Sequence, residues 1–232
     1  MEAAAYLARI GHTGPVAPDR ETLFALHRAH MRTVPFENLD IHLGRTLGLD
    51  VEANFAKVVD RRRGGWCYEL NGLFAWLLRE VGFAVELHGA QVLLSDQPTE
   101  SELIHLTLRV DCEATAWLCD VGFGDSPLEP TRLDSLDGGV LHHNGRVAYR
   151  YGRQVREYGE FQEMCTYLQT SPESFFVRER ICSMATPQGR VTLNDLRLIE
   201  TVDGERSERD LGSEDEWQGL LRDRFGVELH QE

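Results

Sequence analysis

Apolar residues recur at helical spacing in three stretches of the first third of the chain. In the clearest stretch, residues 67–82, apolar side chains follow Leu70 at i+3, i+4, i+7, i+8 and i+11 before a closing glycine. Two earlier stretches, 19–35 and 50–63, each carry an N-cap aspartate followed by an apolar stripe. This pattern predicts an N-terminal helical domain with the third helix buried at its centre.

After Gly82 the pattern changes to short segments rich in β-branched and aromatic residues, separated by turn-forming residues. Strands are predicted at 83–94, 103–110 and 115–121, with less regular ones near 147–151 and 191–200. The acid-rich tract 200–216 is expected to be a solvated loop and helix start, with a closing helix over 215–225. Helices first and strands second predict an α+β fold.

The composition then excludes several classes of protein. With 232 residues, 42% of them hydrophobic, the chain is able to bury one large core or two to three small ones, which excludes disordered and fibrous proteins. Every apolar run ends well short of the roughly 20 residues that cross a bilayer, and no basic flank precedes an apolar stretch at the N-terminus. We therefore expect neither a membrane span nor a secretory signal.

Charge and cysteine usage indicate the cellular environment. The formal net charge of −14 argues against a nucleic-acid partner, because phosphate binding needs a positive surface and the only basic run is 61–63. Five cysteines without CxxC pairs fit a reduced cytosol better than a disulfide scaffold and offer no zinc-ligand spacing. We expect a cytoplasmic protein without a metal site, and the oligomeric state is left open.

Cys67 lies where a double-glycine break meets the first turn of the third predicted helix. The free N–H groups and the positive end of the helix dipole favour a thiolate there, and the arginines at 61–63 add positive potential. Gly64 and Gly65 would let a substrate carbonyl approach, and the Cys67 backbone N–H would serve one arm of an oxyanion hole. Cys67 is therefore the candidate nucleophile; the alternative is a small buried residue that caps a helix.

A nucleophilic cysteine needs a histidine base and a group that orients the histidine. A hairpin turn is predicted at 111–114. If it centres between Cys112 and Glu113, positions whose numbers sum to 225 face each other, and His105 and Asp120 become direct cross-strand partners. A slip of one residue would point the two side chains to opposite faces. The alternative is a satisfied strand histidine beside an aspartate that caps a turn.

The other histidines and cysteines are weaker candidates. His142 and His143 fall in a glycine-flanked segment that predicts an exposed turn. His27 and His30 have helical spacing, but no carboxylate or cysteine completes a metal site, so a partly buried helix face is expected. The four remaining cysteines lack a glycine-rich helix start and are expected to be packing residues.

Three ordered segments resemble the motifs of the arylamine N-acetyltransferases. Residues 63–71, RGGWCYELN, look like that family's RGGxCxxxN signature; residues 35–39, PFENL, look like its PFENL segment; and residues 120–124, DVGFG, look like its D-[VA]-G-F-G. The likeness spans most of residues 5–125. The family's triad of cysteine, histidine and aspartate corresponds to Cys67, His105 and Asp120.

The resemblance implies an acyltransferase that moves an acetyl group from acetyl-coenzyme A to an arylamine, an arylhydrazine or a related aromatic amine through a thioester on Cys67. It implies a helical bundle over 1–82, an antiparallel β-barrel over 83–165 and an α/β lid over 166–232, with a cysteine-protease-like core. It implies no metal or prosthetic group.

The resemblance also suggests roles for residues around the triad. A structural ion pair is expected between Arg63 and Glu37. The coenzyme A loop would contain Gly124 and Ser126. The acceptor pocket would be lined by Phe36, Val92 and Phe123.

The chain departs from the family pattern after Asp125. It is some dozens of residues shorter than usual there, and Asp125 places a negative charge where a polyanionic coenzyme approaches. These departures predict a shortened lid, a more open cleft at Cys67 and weak coenzyme A affinity. The alternatives are an amide synthase that closes a carrier-bound polyketide chain onto an aromatic amine, a cysteine hydrolase or transglutaminase-like enzyme, and a non-catalytic binding module.

Overall fold

The N-terminal part of the computed structural model, which describes residues 1–93 and 101–229, is mainly helical. Its elements are α1 (Ala3–Arg9), α2 (Arg20–Thr33), the short strand β1 (Phe36–Glu37), α3 (Leu39–His42), α4 (Val51–Phe55) continued by a π-helical turn (Ala56–Asp60), and α5 (Cys67–Val81). The three predicted helices correspond to α2, α4 with its π turn, and α5. The short α1 was not predicted.

Helix α5 is the centre of the main core. It ends at Gly82, whose φ of 105° places it in the left-handed region that glycine adopts readily. Five of the six residues of the predicted apolar stripe are completely buried, namely Leu70, Leu73, Phe74, Leu77 and Leu78. The prediction of a central buried helix is confirmed.

A six-stranded antiparallel sheet follows the helices. Its strands are β2 (Ala84–Val92), β3 (His105–Cys112), β4 (Thr115–Cys119), β5 (Thr131–Arg132), β6 (Val140–His143) and β7 (Arg146–Arg156), in the order β5-β4-β3-β2-β7-β6. The first predicted strand, 83–94, corresponds to β2, and its predicted last residue, Leu94, lies outside the described residues. Within the described residues the sheet is a half-barrel rather than a closed barrel, because its two end strands, β5 and β6, do not pair with each other.

The C-terminal part builds a second antiparallel sheet. Its elements are α6 (Gln162–Thr170), α7 (Phe175–Arg178), β8 (Ile181–Thr186), β9 (Gly189–Asn194), β10 (Arg197–Val202), β11 (Glu205–Asp210) and α8 (Glu214–Phe225). The strand order is β1-β8-β9-β10-β11, so a strand from the helical part forms one edge. Helix α8 packs against β8 and β9 through Trp217, Leu221 and Phe225. The predicted closing helix is confirmed.

Two local predictions were wrong, the loop at 200–216 and the turn at His142 and His143. The acid-rich tract 200–216 is not a loop, because most of it belongs to the β10–β11 hairpin, whose turn uses positive φ at Asp203 and Gly204. All of β11 is exposed, so the backbone ladder holds this charged edge strand without an apolar face. The strand prediction for the segment 191–200 is confirmed, since the segment contains parts of β9 and β10. His142 and His143 end strand β6, and the turn follows them at Asn144 and Gly145.

The predicted domain boundaries fall at different kinds of position. Residue 82 lies between α5 and β2, whereas residue 165 lies inside α6. Within the described residues, every helix is too short or too polar to cross a bilayer. In the same part of the chain, no group of three or more His, Cys, Asp or Glu side chains is arranged to hold a metal ion.

Candidate active site

Cys67 is the first residue of α5 and is almost completely buried, with 4% of its surface exposed. The loop after β4 lies directly against it: a Cβ on Gly122 would come within 2.7 Å of Cys67 Cα and 2.9 Å of Asn71 Nδ2. The absence of a side chain at Gly122 therefore lets the loop after β4 contact α5 at Cys67. This contact places the end of β4 beside the start of α5.

The two glycines before Cys67 serve packing inside the protein. A Cβ on Gly64 would collide with the carbonyl oxygen of Pro35, and one on Gly65 would come within 2.8 Å of Glu69 Oε2. Protein atoms occupy the space where each side chain would lie. The prediction that a substrate carbonyl uses this space was therefore wrong. Their role is to let the chain pass between β1 and the first turn of α5.

Arg63 is buried in an ion network below α5. Its guanidinium lies 2.8 Å from Glu37 and 3.0 Å from Asp40, which confirms the expected Arg63–Glu37 pair. The only lysine of the chain, Lys57, joins the network 2.8 Å from Asp40 and 2.9 Å from Glu69. Arg63 is thus neutralised by carboxylates, and the expectation that it adds positive potential at Cys67 was wrong. Arg61 and Arg62 are exposed.

The β3–β4 hairpin turns one residue later along the chain than predicted. Its turn is Glu113-Ala114, both with positive φ, and Cys112 pairs with Thr115. The paired numbers therefore sum to 227 instead of 225, so the prediction that His105 directly faces Asp120 was wrong. A shift of two keeps each side chain on its face, and the two residues are diagonal neighbours. His105 Nε2 lies 2.7 Å from Asp120 Oδ2.

Asp120 is a buried carboxylate that accepts four hydrogen bonds. Besides His105, its donors are Asn71 Nδ2 at 2.9 Å, the Gly122 backbone N–H at 3.0 Å and the Tyr149 hydroxyl at 2.8 Å. Burial alone would raise the pKa of Asp120, but the charge of His105 and these hydrogen bonds outweigh burial and lower that pKa. The carboxylate is therefore ionised and fixed in orientation.

His105 lies between this carboxylate and Cys67. Burial alone would lower the pKa of His105, but the charge and hydrogen bond of Asp120, together with the hydrogen bond of Cys67, raise it to about 10. The arrangement therefore favours an imidazolium beside the sulfur of Cys67.

The other four cysteines have a different environment. Burial is the main cause that raises the pKa of each thiol, moderately for Cys112, to about 12 for Cys165 and well above the ordinary value for Cys119 and Cys182. All four therefore favour the neutral thiol, as expected of packing residues.

Phe123 and Val92 border the site on the side of Tyr149. The Phe123 ring centroid lies 5.1 Å from that of His105 and 5.1 Å from that of Tyr149, and Val92 faces Tyr149 across the β2–β7 ladder. Phe36 lies in β1, where the backbone of Gly124 passes so close that a Cβ would approach the Phe36 ring to 3.2 Å. The loop after Asp120 therefore carries Phe123 toward Tyr149 and passes against Phe36.

The predicted coenzyme residues lie further along this loop. Gly124 has a φ of 86°, and its carbonyl accepts from Ser183 Oγ at 3.2 Å and from Arg190. Ser126 is buried, and its hydroxyl has no partner within the described residues. Asp125 is exposed and pairs with Arg190 Nε at 3.2 Å, so an arginine partly offsets its charge.

Three residues that touch Asp120 were not assigned a role from the sequence. Asn71 stands in the RGGxCxxxN motif, four residues after Cys67, where α5 turns it to the same face. Tyr149 gave no signal, because it lies on β7 far along the chain. His27 resembled a packing residue of α2, yet its Nε2 accepts the Asp120 backbone N–H at 3.2 Å.

Comparison with known proteins places the chain in a family. The N-acetyltransferase family model matches residues 19–144 and 139–232. The arylamine N-acetyltransferase pineal gland isozyme NAT-3 of Gallus gallus is 31% identical over 275 aligned positions, which cover 99% of this chain and 95% of the relative. The chain belongs to the arylamine N-acetyltransferase family. That alignment is longer than the 232 residues of the chain, so this relative of the family carries insertions.

Solved structures of the arylamine N-acetyltransferase family show the same fold. The Mycobacterium smegmatis enzyme superposes with a TM-score of 0.90 at 32% identity, covering 99% of this chain and 93% of that one. The Mycobacterium marinum enzyme in complex with CoA gives a TM-score of 0.87 at 27% identity, covering 97% and 93%. The α+β fold with its antiparallel sheets is thus the fold of the family.

Proposed function

We propose that this protein transfers an acetyl group from acetyl-coenzyme A to the nitrogen of an arylamine or arylhydrazine through an acetyl thioester on Cys67. The observation that carries the proposal is the contiguous buried set of Cys67, His105 and Asp120, in which His105 hydrogen bonds to Asp120 and the nearby Cys67 helps to raise the pKa of His105. Membership of the arylamine N-acetyltransferase family and the CoA complex of the M. marinum relative support the choice of donor and acceptor.

In the first half-reaction His105 holds the proton of the Cys67 thiol as an imidazolium, and the Cys67 thiolate attacks the carbonyl carbon of the acetyl thioester. A carbon–sulfur bond to Cys67 forms, and the bond between the acetyl carbon and the coenzyme sulfur breaks. The coenzyme thiolate that leaves accepts the proton from His105. In the second half-reaction the amine nitrogen attacks the acetyl carbon. His105 then moves one proton from nitrogen to the Cys67 sulfur, which leaves an amide and the free thiol.

Asp120 is the orienting member of this set. Its hydrogen bond to Nε2 turns the other imidazole nitrogen toward Cys67 and stabilises the imidazolium that forms when the thiol loses its proton. The donors Asn71 and Tyr149 hold the carboxylate itself in place. A buried carboxylate held in this way keeps His105 available for both proton transfers.

Residues of the loop after Asp120 fit the predicted ligand contacts. We assign the acceptor pocket to Phe36, Val92 and Phe123, because Phe123 and Val92 lie near the Tyr149 ring and Phe36 lies against Gly124. The coenzyme loop is assigned to Gly124 and Ser126. The buried Ser126 hydroxyl, which has no partner in the described part of the chain, supports a hydrogen bond to a ligand.

The division into a helical bundle, a central sheet and a shortened C-terminal lid is part of the same proposal. The insertions in the Gallus gallus relative support a shortened chain. A cytoplasmic location remains a prediction from cysteine usage.

Mass spectrometry of the protein mixed with acetyl-coenzyme A tests the proposal. We expect a gain of one acetyl group that maps to Cys67, is absent in Cys67→Ala, is present in the control Cys182→Ala, and disappears when an arylamine is added. Loss of the acetyl group to water at the same rate as to the amine would indicate a hydrolase. No gain in any variant would favour the carrier-dependent synthase or the binding module.

A further inference from the structure

His27, in the middle of α2, bridges the two ends of the loop that follows strand β4. Its Nε2 lies 3.2 Å from the backbone nitrogen of Asp120, and its Nδ1 lies 3.0 Å from the carbonyl oxygen of Leu128. The imidazole is 1% exposed, so water does not compete for either contact. One side chain of the helical part therefore holds both ends of the segment 120–128.

These two contacts determine the protonation state of the ring. A carbonyl oxygen only accepts, so Nδ1 must carry the hydrogen, and a backbone N–H only donates, so Nε2 must be unprotonated. A proton on Nε2 would oppose the Asp120 N–H directly. Burial, the largest effect, lowers the pKa of His27 although Leu128, Asp120 and Glu129 act in the opposite direction, and the ring is therefore neutral.

The segment that His27 holds contains the residues of the proposed site. It begins at Asp120, whose carboxylate bonds to His105, and continues through Phe123, Gly124 and Ser126. Asp120 is therefore fixed from two directions, its carboxylate by side chains of α5 and β7 and its backbone by α2. The two peptides that flank Asp120 are both held, because the Asp120 N–H donates to His27 Nε2 and the Val121 N–H donates to Asn71 Oδ1 at 2.9 Å. Loss of the His27 acceptor would leave the first of these peptides without a partner.

We propose that His27 is a positioning residue for the reaction: as a neutral imidazole with hydrogen on Nδ1, it anchors the backbone of Asp120 and closes the loop 120–128, and thereby sets the His105–Cys67 geometry. This inference rests on the proposed function for its meaning in catalysis. The hydrogen-bond geometry itself does not depend on the acyl donor.

Two amide substitutions separate the contacts of the ring. The short amide of His27→Asn reaches the position of Nδ1 and keeps the bond to Leu128, but it leaves the Asp120 N–H without an acceptor. The longer amide of His27→Gln reaches the position of Nε2 and keeps the acceptor for Asp120. Alanine is a poorer choice, because a cavity of about 10 Å³ already adjoins His27, Asp120 and Tyr149. His27→Ala would enlarge this cavity enough to admit a water, and that water would replace Nε2 as the acceptor for the Asp120 N–H.

His30 provides the matched control. It is a buried histidine one turn further along α2, hydrogen bonded to Tyr6 at 2.8 Å, and its ring packs on Phe74 as that of His27 does. His30→Gln therefore disturbs the same helix face without touching the loop 120–128.

The experiment follows Cys67 alkylation by iodoacetamide against pH, beside the melting temperature of each variant. We expect His27→Asn to alkylate about tenfold more slowly near neutral pH and with a shifted pH midpoint, as loss of one buried hydrogen bond predicts. His27→Gln should stay within about twofold of the unsubstituted protein, and His30→Gln should keep its pH profile even if its melting temperature falls.

An unchanged alkylation rate and pH profile in His27→Asn would overturn the proposal. It would also be overturned if all three variants lost alkylation rate equally and in proportion to the fall in their melting temperatures. Long-range ¹H–¹⁵N NMR of the unsubstituted protein is independent of folding defects in the variants. It should show His27 neutral with hydrogen on Nδ1, and hydrogen on Nε2 would refute the assignment. Because alkylation needs no acetyl donor, a shifted profile without acetylation by acetyl-coenzyme A would reject the proposed function and keep the positioning role.

Discussion

At the scale of single residues, the hydrogen bonds of Asp120 use nearly the full capacity of a carboxylate. Four donors reach its two oxygens from different parts of the chain, and the Asp120 N–H is also paired. Such complete pairing offsets the cost of burying a charge. A substitution of Asp120 should therefore affect the protonation of His105 more than it affects the packing of the core.

This pairing predicts a pH dependence of stability. The folded-state pKa of His105 is about 10 against an ordinary 6.5, so proton binding favours the folded state. The stabilisation is complete below about pH 6.5 and is lost as the pH rises toward 10. We expect the free energy of unfolding to fall over this window, and Asp120→Asn to flatten the fall between pH 6.5 and 9 while losing most activity through the wrong tautomer. Urea titrations at several pH values measure both curves, and parallel curves would contradict the coupling.

The environment of the thiols predicts which cysteine reacts. Cys67 alone combines the first position of a long helix with an imidazolium partner, whereas burial raises the pKa of the other four thiols. Iodoacetamide labelling followed by peptide mapping should modify Cys67 first, in the folded protein at neutral pH. Modification of any other cysteine at an equal or higher rate would remove the main support for the site.

Sequence reasoning found the triad for reasons that act at this scale. Cys67 was identified by its place at a helix start, and the alternation along the strands put His105 and Asp120 on one face even with the register displaced by two. Tyr149 and His27 were missed, because their contact with Asp120 depends on how β7 and α2 pack against β4. No local pattern reports such packing.

At the scale of elements, α5 and the loop after β4 approach each other closely at Gly122. Gly122 has no space for a side chain, since a Cβ would lie 2.7 Å from Cys67 Cα. Gly122→Ala must therefore push the loop away from α5, which separates Asp120 from Asn71. We expect a loss of about 1–3 kcal/mol of stability and slower alkylation of Cys67.

Gly219→Ala is the control for this prediction. Gly219 lies inside α8, and a Cβ there would meet no atom within 4 Å. Alanine at that position should leave the site unchanged and add about 0.5–1 kcal/mol, because glycine is unfavourable inside a helix. Thermal unfolding and Cys67 alkylation rates of both variants test the prediction. If Gly122→Ala were as stable as Gly219→Ala and alkylated at the same rate, the contact between α5 and the loop after β4 would tolerate a side chain.

The hairpin between β3 and β4 shows where prediction of elements ends. Glu113 and Ala114 both take positive φ, which asparagine or glycine would have signalled and these residues do not. The turn position was therefore placed one residue too early. The charged strand β11 was missed for a related reason, because the backbone ladder that forms it leaves no apolar trace in the sequence.

At the scale of the whole molecule, charge acts on any polyanionic ligand. The formal net charge is −14, and Arg190 offsets Asp125 only locally. We expect weak coenzyme A binding that is unchanged or improved by salt, since screening beyond about 10 Å at 0.1 M removes repulsion. Calorimetric titration at two salt concentrations tests this, with Asp125→Asn expected to bind more tightly. Tight binding that weakens sharply with salt would show that an arginine-lined site dominates.

The burial of Lys57 also determines how the molecule behaves toward acylating agents in general. Lys57 is the only lysine in the sequence and is 4% exposed, held between Asp40 and Glu69. A protein proposed to handle an activated acetyl group therefore presents no accessible lysine that stray thioesters could modify. Succinimidyl ester dyes should likewise leave the side chains of the folded protein unlabelled, and reaction at Lys57 should begin only when the ion network opens, which makes that reaction a chemical reporter of unfolding.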